Sequence, residues 1–291
     1  MNNGALVGSD DSPFFVIFTD LDATLLDHVT YEWKKAESAL KACKQKKIPV
    51  VMVSSKTRAE MDILRQELDF SSPFIFENGG GIFFPDNCPV SPPAEAIREE
   101  PGFRWPLGPS YERLTYVLQQ IKKELGWDIR GFSEMDIGEI SRLTGLDPEQ
   151  ARLAGMRDYD EPFILEPQNN SRIQSLVDKA ERWGLKISRG GRFFHIHGKY
   201  DKGDAVRKLI TWYGEAHGPI FSAALGDSPN DFTMLKQVDQ PVLIRSNMDF
   251  PGIRQELPGL IIPQATGPEG WNTAVLEILE KKADGGLSRY V

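Results

Sequence analysis

The chain has 291 residues, of which 40% are hydrophobic and 26% charged, and its formal net charge at pH 7 is −8. This length suits two domains of a globular protein, and the acidic balance argues against a nucleic-acid partner, because such proteins usually present a basic face. No apolar run approaches the roughly 20 residues of a membrane span, and the N-terminal MNNGALVGSDDSP lacks the pattern of a signal peptide. Two cysteines without a CxxC spacing predict no disulfide framework and favour the cytoplasm.

The first 85 residues alternate between apolar runs and amphipathic stretches. FFVIFTD (14–20), IPVVMVS (48–54) and PFIFEN (73–78) are typical of strands buried on both faces. Between them, apolar residues recur at helical spacing over 30–47 and again in SKTRAEMDILRQEL. This alternation predicts an α/β fold with a doubly wound, Rossmann-like parallel sheet.

The alternation of apolar runs and amphipathic stretches ends after Phe84. A proline-rich stretch follows, which indicates a linker or domain edge, and residues 86–199 are predicted to form an inserted α+β cap domain. Within it, LKISRGGRFFHIHG predicts a β-hairpin that turns at Gly190-Gly191. After residue 200 the alternation of strands and helices resumes. The predicted strands are PIFSAALGDS and PVLIRS, and the predicted helices are DKGDAVRKLITWYG, NDFTMLKQV and WNTAVLEILEKK. Residues 1–85 and 200–291 are therefore predicted to form the core domain.

Polar residues follow three of the predicted strands, at the edge where open parallel sheets bind ligands. They are Asp20 and Asp22 after the first strand, Ser54, Ser55 and Lys56 after the second, Asp227, Asn230 and Asp231 after a later one, and Lys202 at a helix start. Carboxylates packed this closely repel one another unless a cation lies among them. Oxygen ligands without the His and Cys spacings of zinc sites predict Mg²⁺, and Mg²⁺ beside lysine predicts a phosphorylated substrate.

These residues also predict a mechanism of phosphoryl transfer. Asp20 is placed to act as a nucleophile that forms an aspartyl-phosphate. Asp22 is placed to protonate the leaving alcohol and then to activate water. Lys202 and Mg²⁺ are expected to offset the charge on the transferring group.

Four segments, DLDAT, SSK, DKGDA and GDSPND, resemble in this order the motifs of the haloacid dehalogenase-like phosphohydrolases. The resemblance implies the roles just given, with Ser54 bonded to a phosphate oxygen. It also implies a Mg²⁺ site made by Asp20, the Asp22 main-chain carbonyl and Asp227, with Asp231 bonded nearby. The chain has Ser54-Ser55 where many relatives have threonine and glycine. The acid at Asp22 favours a phosphatase or phosphomutase over a dehalogenase, and the inserted domain is similar to the large α/β cap of one branch.

A narrower resemblance is to the mannosyl-3-phosphoglycerate phosphatase family. It rests on SSKTRAEM, FIFENGGGIFFP, GFSEMDIGEISRLTGL, RDYDEPF, GGRFFHI, GDSPNDFTML and GPEGWNTAV. It implies Mg²⁺ dependence, a cytoplasmic location and a substrate that carries a phosphate, a glycerate carboxylate and a sugar. We also predict a monomer or weak homodimer that binds neither nucleic acid nor a membrane.

Further residues are candidates for binding this substrate. They are Ser55, Lys56, Asn78 and Asn230 in the core and Arg157, Glu161, Arg192 and His195 in the cap. Arginine can grip the carboxylate, and glutamate can accept sugar hydroxyls. Alternatives stay open for an exposed Lys56, for Asn78 as part of a turn, and for His195 and His197 as an ordinary strand face. The function also has alternatives: a glucosyl-3-phosphoglycerate or other sugar-phosphate phosphatase, a phosphomutase, or a non-catalytic phosphosugar-binding protein.

Overall fold

The computed structural model describes residues 13–167, 169–190, 192–246 and 249–283. The strands are β1 (Phe14–Thr19), β2 (Val50–Met52), β3 (Phe74–Phe76), β4 (Gly81–Pro85), β5 (Ile97–Glu99), β6 (Gly102–Pro106), β7 (Asp128–Gly131), β8 (Asp160–Glu166), β9 (Lys186–Gly190), β10 (Phe193–His197), β11 (Ile220–Gly226) and β12 (Gln240–Leu243). The helices are α1 (Glu37–Gln45), α2 (Arg58–Glu67), α3 (Tyr111–Leu125), α4 (Ile137–Thr144), α5 (Pro148–Ala154), α6 (Asn170–Arg182), α7 (Lys202–His217), α8 (Phe232–Leu235), α9 (Ile253–Glu256) and α10 (Gly267–Ala283). No helix of these ranges is long and apolar enough to cross a membrane.

A parallel sheet with the strand order β12-β11-β1-β2 forms the centre of the core. Its side chains alternate between two apolar clusters on opposite faces. Phe15 packs in one cluster with Leu40 of α1 and Trp271 of α10, and Phe18 packs in the other with Leu209 of α7. Because helices cover both faces, the prediction of a doubly wound α/β core is confirmed.

A second sheet, of order β3-β4-β6-β5, extends the core with antiparallel pairing. It joins the parallel sheet through a bridge between Val53 and Ile75. The proline-rich stretch read as a linker thus contains two paired strands, because proline at a strand end leaves the remaining ladder intact. The division into domains stays a prediction, and these pairings favour a cap that begins after Pro106 instead of after residue 85.

The third sheet, of order β7-β8-β10-β9, is antiparallel and belongs to the predicted cap. Helices α3 and α6 cover one of its faces, where Phe194 and Ile196 of β10 are buried. By the alternation of a strand, His195 and His197 lie on the opposite face. The hairpin of β9 and β10 is confirmed, although Gly191 of its turn lies outside the described residues.

Some helices differ from the sequence prediction. NDFTMLKQV forms a 3-10 turn over Pro229–Asp231 and the single turn α8, because the chain must reach β12 within a few residues. Helices α4, α5 and α9 and strand β7 were not predicted. They are short, so their apolar residues repeat too few times to give a clear period.

Candidate active site

The predicted chemical groups meet at the carboxyl edge of the parallel sheet. The loop after β1 is tied to β11 by a hydrogen bond from the Asp20 main-chain N to the Leu225 carbonyl, at 2.9 Å. Thr19 fixes the same point, because its hydroxyl donates to the Asp20 carbonyl at 2.7 Å and accepts from the Trp271 indole at 2.9 Å. The position of Asp20 is therefore set by buried contacts on both sides.

Lys202 is a buried cation at this edge. The Asp201 side chain caps α7 by accepting from the Asp204 main-chain N at 3.0 Å, which makes Lys202 the first helical residue. Its Nζ lies 2.6 Å from Asp20 Oδ1 and 2.7 Å from Asp231 Oδ1. Burial favours the neutral amine, but the two carboxylates outweigh it and raise the pKa of Lys202. The side chain is consequently a fixed positive charge.

Asp20, Asp227 and Asp231 are all buried, and each offers a carboxylate oxygen within 4.8 Å of the others. Burial and the Asp231 charge raise the pKa of Asp20 to about 7, although Lys202 opposes them. Burial and Asp231 likewise raise the pKa of Asp227 to about 6. One lysine does not neutralise three carboxylates, so this cluster of hard oxygen donors can hold a metal ion.

Asp231 is mostly occupied by protein contacts. Its Oδ2 accepts from the main-chain N of Asp227 at 3.0 Å and of Ser228 at 3.1 Å, and its Oδ1 accepts from Lys202. A Cβ on Gly226 would lie 2.4 Å from the Asp231 Cβ, so this close approach requires glycine. Asp231 therefore shapes the GDSPND loop, and Asp20 and Asp227 keep oxygens that a metal ion can contact.

The SSK segment lies beside Asp22. Thr57 and Glu60 form a reciprocal cap at the start of α2, which fixes the preceding loop. The Ser54 hydroxyl accepts from the Lys56 main-chain N at 3.2 Å, and Lys56 Nζ lies 2.9 Å from Asp22 Oδ2. Lys56 is thus paired with the predicted acid, not free in solvent, and its side chain is only 23% exposed.

Two asparagines close the core side of the site. Asn78 has a left-handed backbone with φ of 55°, and its main-chain N donates to the Ser54 carbonyl at 2.9 Å. The Asn230 side-chain amide donates to Asn78 Oδ1 at 3.4 Å, which links the loops after β3 and β11. Ser55 is exposed, and its carbonyl accepts from Arg157 of the cap.

A cavity of about 170 Å³ lies between the core and the cap. It is lined by Glu77, Asn78, Asp160, Ser188, His195, His197, Tyr200, Asp201, Lys202, Asn230 and Thr233. A larger cavity of about 640 Å³ lies at the amino ends of the strands, near Phe14 and Val50, and is mainly apolar. Because the carboxylates and Lys202 lie at the carboxyl edge, we assign the site to the smaller cavity.

The cap residues predicted from the sequence have different positions. His195 lines the cavity. Arg157 is buried behind it and donates to the carbonyls of Ala154 and Ser55 and to Asp160. The other two predicted residues do not line the cavity either.

One of them, Glu161, accepts from Tyr111 and Ser133 on the face of β8 that the helices cover. The other, Arg192, is exposed near the hairpin turn and donates to the Leu143 carbonyl. Sequence reasoning missed Asp160, Ser188 and His197. For His197, its alternation with His195 was the available signal.

Glu77, which lines this cavity, links the loop after β3 to the segment before β8. Its buried carboxylate accepts from the main-chain N of Asp158 at 3.0 Å and of Tyr159 at 2.6 Å. Burial raises the pKa of Glu77 to about 8, Asp160 adds to the increase, and Arg157 opposes it. The folded protein therefore binds a proton at Glu77 that the unfolded chain releases near its ordinary value of 4.5.

We expect Glu77→Gln to remove a pH dependence of stability. A pKa raised by folding contributes stability below about 4.5 that is lost as the pH rises through about 8. Between pH 5 and 9 the wild-type free energy of unfolding should fall by roughly 2–4 kcal/mol relative to that of the variant. Denaturant unfolding at several pH values measures this, with the exposed Glu32→Gln as control. Parallel profiles for wild type and Glu77→Gln would refute the expectation.

Comparisons with known proteins show which proteins the chain resembles. A family model described as haloacid dehalogenase-like hydrolase matches residues 17–90. A solved structure from Thermoplasma acidophilum superposes with a TM-score of 0.66 at 18% identity, covering 92% of this chain and 99% of that one. The sucrose-phosphatase of Synechocystis, solved with sucrose and phosphate, gives 0.57 at 13% identity over 91% and 98%. The chain thus shares its fold with these solved structures, and its first part matches the haloacid dehalogenase-like class.

Curated relatives narrow the class. A glucosyl-3-phosphoglycerate/mannosyl-3-phosphoglycerate phosphatase of Methanococcoides burtonii is 40% identical over 272 residues, which cover 91% of this chain and 97% of that protein. A mannosyl-3-phosphoglycerate phosphatase of Pyrococcus horikoshii is 35% identical over 79% of this chain and 90% of that protein. The chain belongs to the mannosyl-3-phosphoglycerate phosphatase family and is a phosphoric monoester hydrolase.

Proposed function

We propose that the protein is a Mg²⁺-dependent phosphatase that converts mannosyl-3-phosphoglycerate to mannosylglycerate and phosphate through an aspartyl-phosphate at Asp20. The observation that carries the proposal is the buried group of Asp20, Lys202 and Asp227 beside a cavity that the cap closes. The names of the relatives support the substrate, and glucosyl-3-phosphoglycerate is the closest alternative.

In this mechanism, Lys202 holds Asp20 Oδ1, and the other carboxylate oxygen attacks phosphorus. The bond from phosphorus to the glycerate oxygen breaks, and Asp22 gives its proton to that oxygen. Asp22 then takes a proton from water, which attacks the aspartyl-phosphate and releases inorganic phosphate. Lys56, 2.9 Å from Asp22 Oδ2, fixes the direction of this side chain.

The residues present fit Mg²⁺, since they offer carboxylate oxygens and no nitrogen or sulfur ligand in the described cluster. We propose that Asp20, Asp227 and the Asp22 carbonyl hold the ion, while Asp231 positions the loop. When bound, Mg²⁺ supplies positive charge that stabilises the transferring phosphoryl group. Ser54 and Lys202 are proposed to bind the phosphate oxygens, with Ser55, Asn78 and Asn230 at the same edge.

The test is phosphate release from mannosyl-3-phosphoglycerate, glucosyl-3-phosphoglycerate and common hexose phosphates, each with Mg²⁺ and with EDTA. Mg²⁺-dependent release from the glycosyl-phosphoglycerates supports the proposal, and the ratio of kcat/KM values identifies the sugar. Release only from hexose phosphates would support the proposed phosphatase mechanism and refute the proposed substrate. Isomerised product without phosphate release would indicate a phosphomutase, and no reaction would indicate a phosphosugar-binding protein.

Binding of Mg²⁺ should raise the free energy of unfolding, because only the folded chain assembles the site. At a Mg²⁺ concentration of about 100 times the Kd the gain is roughly 2.7 kcal/mol. We expect Asp227→Asn to lose most of this gain while remaining folded, and the exposed Asp249→Asn to keep it. Denaturant unfolding with Mg²⁺ and with EDTA measures the difference. An unchanged Mg²⁺ effect in Asp227→Asn would contradict the assignment.

The remaining proposals concern setting and assembly. We propose a cytoplasmic enzyme, which is supported by two free cysteines, Cys43 and Cys88. A monomer or weak homodimer stays a prediction, for which sedimentation at several protein concentrations is the direct measurement.

A further inference from the structure

One residue on the cap side of the cavity has a buried carboxylate oxygen without a hydrogen-bond partner among the described residues. Asp160 lies at the start of β8, its side chain is 5% exposed, and it lines the cavity. Its Oδ2 accepts from His195 Nδ1 at 2.8 Å and from Arg157 at 3.4 Å. Its Oδ1 is buried and makes no hydrogen bond to any residue that the structure describes. A buried acceptor left this way is costly unless a ligand or water satisfies it.

Two neighbours of Asp160, His195 and His197, present further polar atoms on the same strand face. Asp160 accepts from His195 Nδ1, so a neutral His195 has an acceptor at Nε2, and that atom has no hydrogen bond in the described structure. His197 Nδ1 donates to the Gly198 carbonyl at 2.9 Å, and its Nε2 lies 3.1 Å from the Ser188 hydroxyl. Burial lowers the pKa of His197, so its Nε2 accepts from Ser188 and leaves the Ser188 oxygen open.

These acceptors determine which part of a substrate they suit. An anionic phosphate or carboxylate would be repelled by the Asp160 oxygen, whereas a hydroxyl group can donate to it. The cation of the cavity, Lys202, lies on the core side and is paired with Asp20. The two sides of the cavity thus separate an anion-binding region from a hydroxyl-binding region.

We propose that Asp160 Oδ1, His195 Nε2 and the Ser188 hydroxyl form the subsite that binds the sugar hydroxyls of the leaving group. This inference rests on the proposed function and assigns its specificity to residues of β8, β9 and β10. Arg157 is then a positioning residue, which holds Asp160 from behind instead of gripping the glycerate carboxylate. Asp160 is a specificity-determining residue, and it takes no part in the transfer of phosphate.

Asp160→Asn gives a sharp test, because the orientation of the amide is forced. His195 Nδ1–H and Arg157 both donate to the Oδ2 position, so the amide oxygen must occupy it and the NH₂ group must take the position of Oδ1. An acceptor is thereby replaced by a donor at the position where a hydroxyl must donate. We expect kcat/KM for the glycosyl-3-phosphoglycerate to fall about 10- to 100-fold. The inhibition constant of inorganic phosphate, which reports the core side, should change by less than about twofold.

Asp158→Asn is the matched control, since it makes the same chemical change two residues away and does not line the cavity. It should leave both constants near wild type. If Asp160→Asn weakens sugar ester and inorganic phosphate equally, or weakens neither, the subsite assignment is overturned.

Ser188→Ala provides a second variant for the case that Asp160→Asn does not fold, because Ser188 lies on an exposed strand. It should lower kcat/KM for the sugar ester about 3- to 10-fold and leave inhibition by phosphate unchanged. An unchanged kcat/KM for Ser188→Ala would overturn the proposal. Failure of the proposed function would appear differently, in the wild type, as no release from glycosyl-3-phosphoglycerates. The same comparison is then made on the hexose phosphate that the wild type hydrolyses.

Discussion

Replacing Asp20 with asparagine is expected to lower kcat for phosphate release by at least roughly 1,000-fold, because the amide cannot form the acyl-phosphate bond. The substitution should not lower the stability of the fold. Lys202 keeps its contact with Asp231, and the substitution removes one of three buried carboxylates that repel each other. Metal-free Asp20→Asn should therefore unfold at a temperature equal to or above that of the wild type at pH 8, where Asp20 is ionised.

Two measurements distinguish the loss of a nucleophile from a loss of folded structure. Steady-state phosphate release gives the effect on kcat, and thermal unfolding in EDTA gives the effect on stability. The control is Asp27→Asn, which changes the same loop where Asp27 accepts from Val29 and Thr30 away from the cluster. It should keep wild-type kcat. If Asp20→Asn retains more than about a tenth of the activity, Asp20 is not the nucleophile.

Replacing Lys202 with methionine is expected to damage both activity and stability. Without its ammonium, Asp20 and Asp231 have no cation partner in the described structure, and breaking a buried ion pair in this way typically costs about 3–5 kcal/mol. Activity should fall about 100- to 1,000-fold, because the transition state loses a fixed positive charge. The loss of stability should be larger at pH 8 than near pH 4, because Asp20, whose pKa is raised to about 7, is protonated and uncharged at the lower pH.

The double variant tests the physical cause. If the cost arises from uncompensated charge, Asp20→Asn should restore part of the stability that Lys202→Met removes, and the two effects should not add. Lys281→Met, which changes an exposed lysine paired with Glu277, should lower the stability by less than about 0.5 kcal/mol. Additive effects in the double variant would show that Lys202 stabilises through packing, not through charge.

The core could be predicted from the sequence because its chemistry follows its strands directly. Asp20 and Asp227 each come immediately after an apolar run, and parallel strands bring their carboxyl ends to one edge. The sequence could not predict which oxygens of these carboxylates already accept hydrogen bonds from the protein. Both carboxylate oxygens of Asp231 accept hydrogen bonds, from Lys202 and from the main-chain N–H groups of Asp227 and Ser228. These contacts depend on the folded loop and have no signal in the sequence.

The cap shows a different limit. Adjacent residues of a strand point to opposite faces, so choosing between Asp160 and Glu161 requires knowing which face of β8 the helices cover. Sequence reasoning chose Glu161, and α3 covers that side, where Tyr111 donates to it. The neighbour that faces the cavity is Asp160. A shift of one residue thus decides whether a carboxylate packs against the helices or faces the cavity.

The antiparallel sheet of the cap has consequences for how this enzyme can diversify. Side chains at alternate positions of β9 and β10, such as Ser188 and His195, line the cavity, while the groups proposed to transfer the phosphoryl group come from loops of a separate sheet. If the proposed sugar subsite is right, substitutions at the strand positions can change the accepted sugar without changing the core loops. Directed evolution of new sugar-ester specificities should begin at those alternate positions.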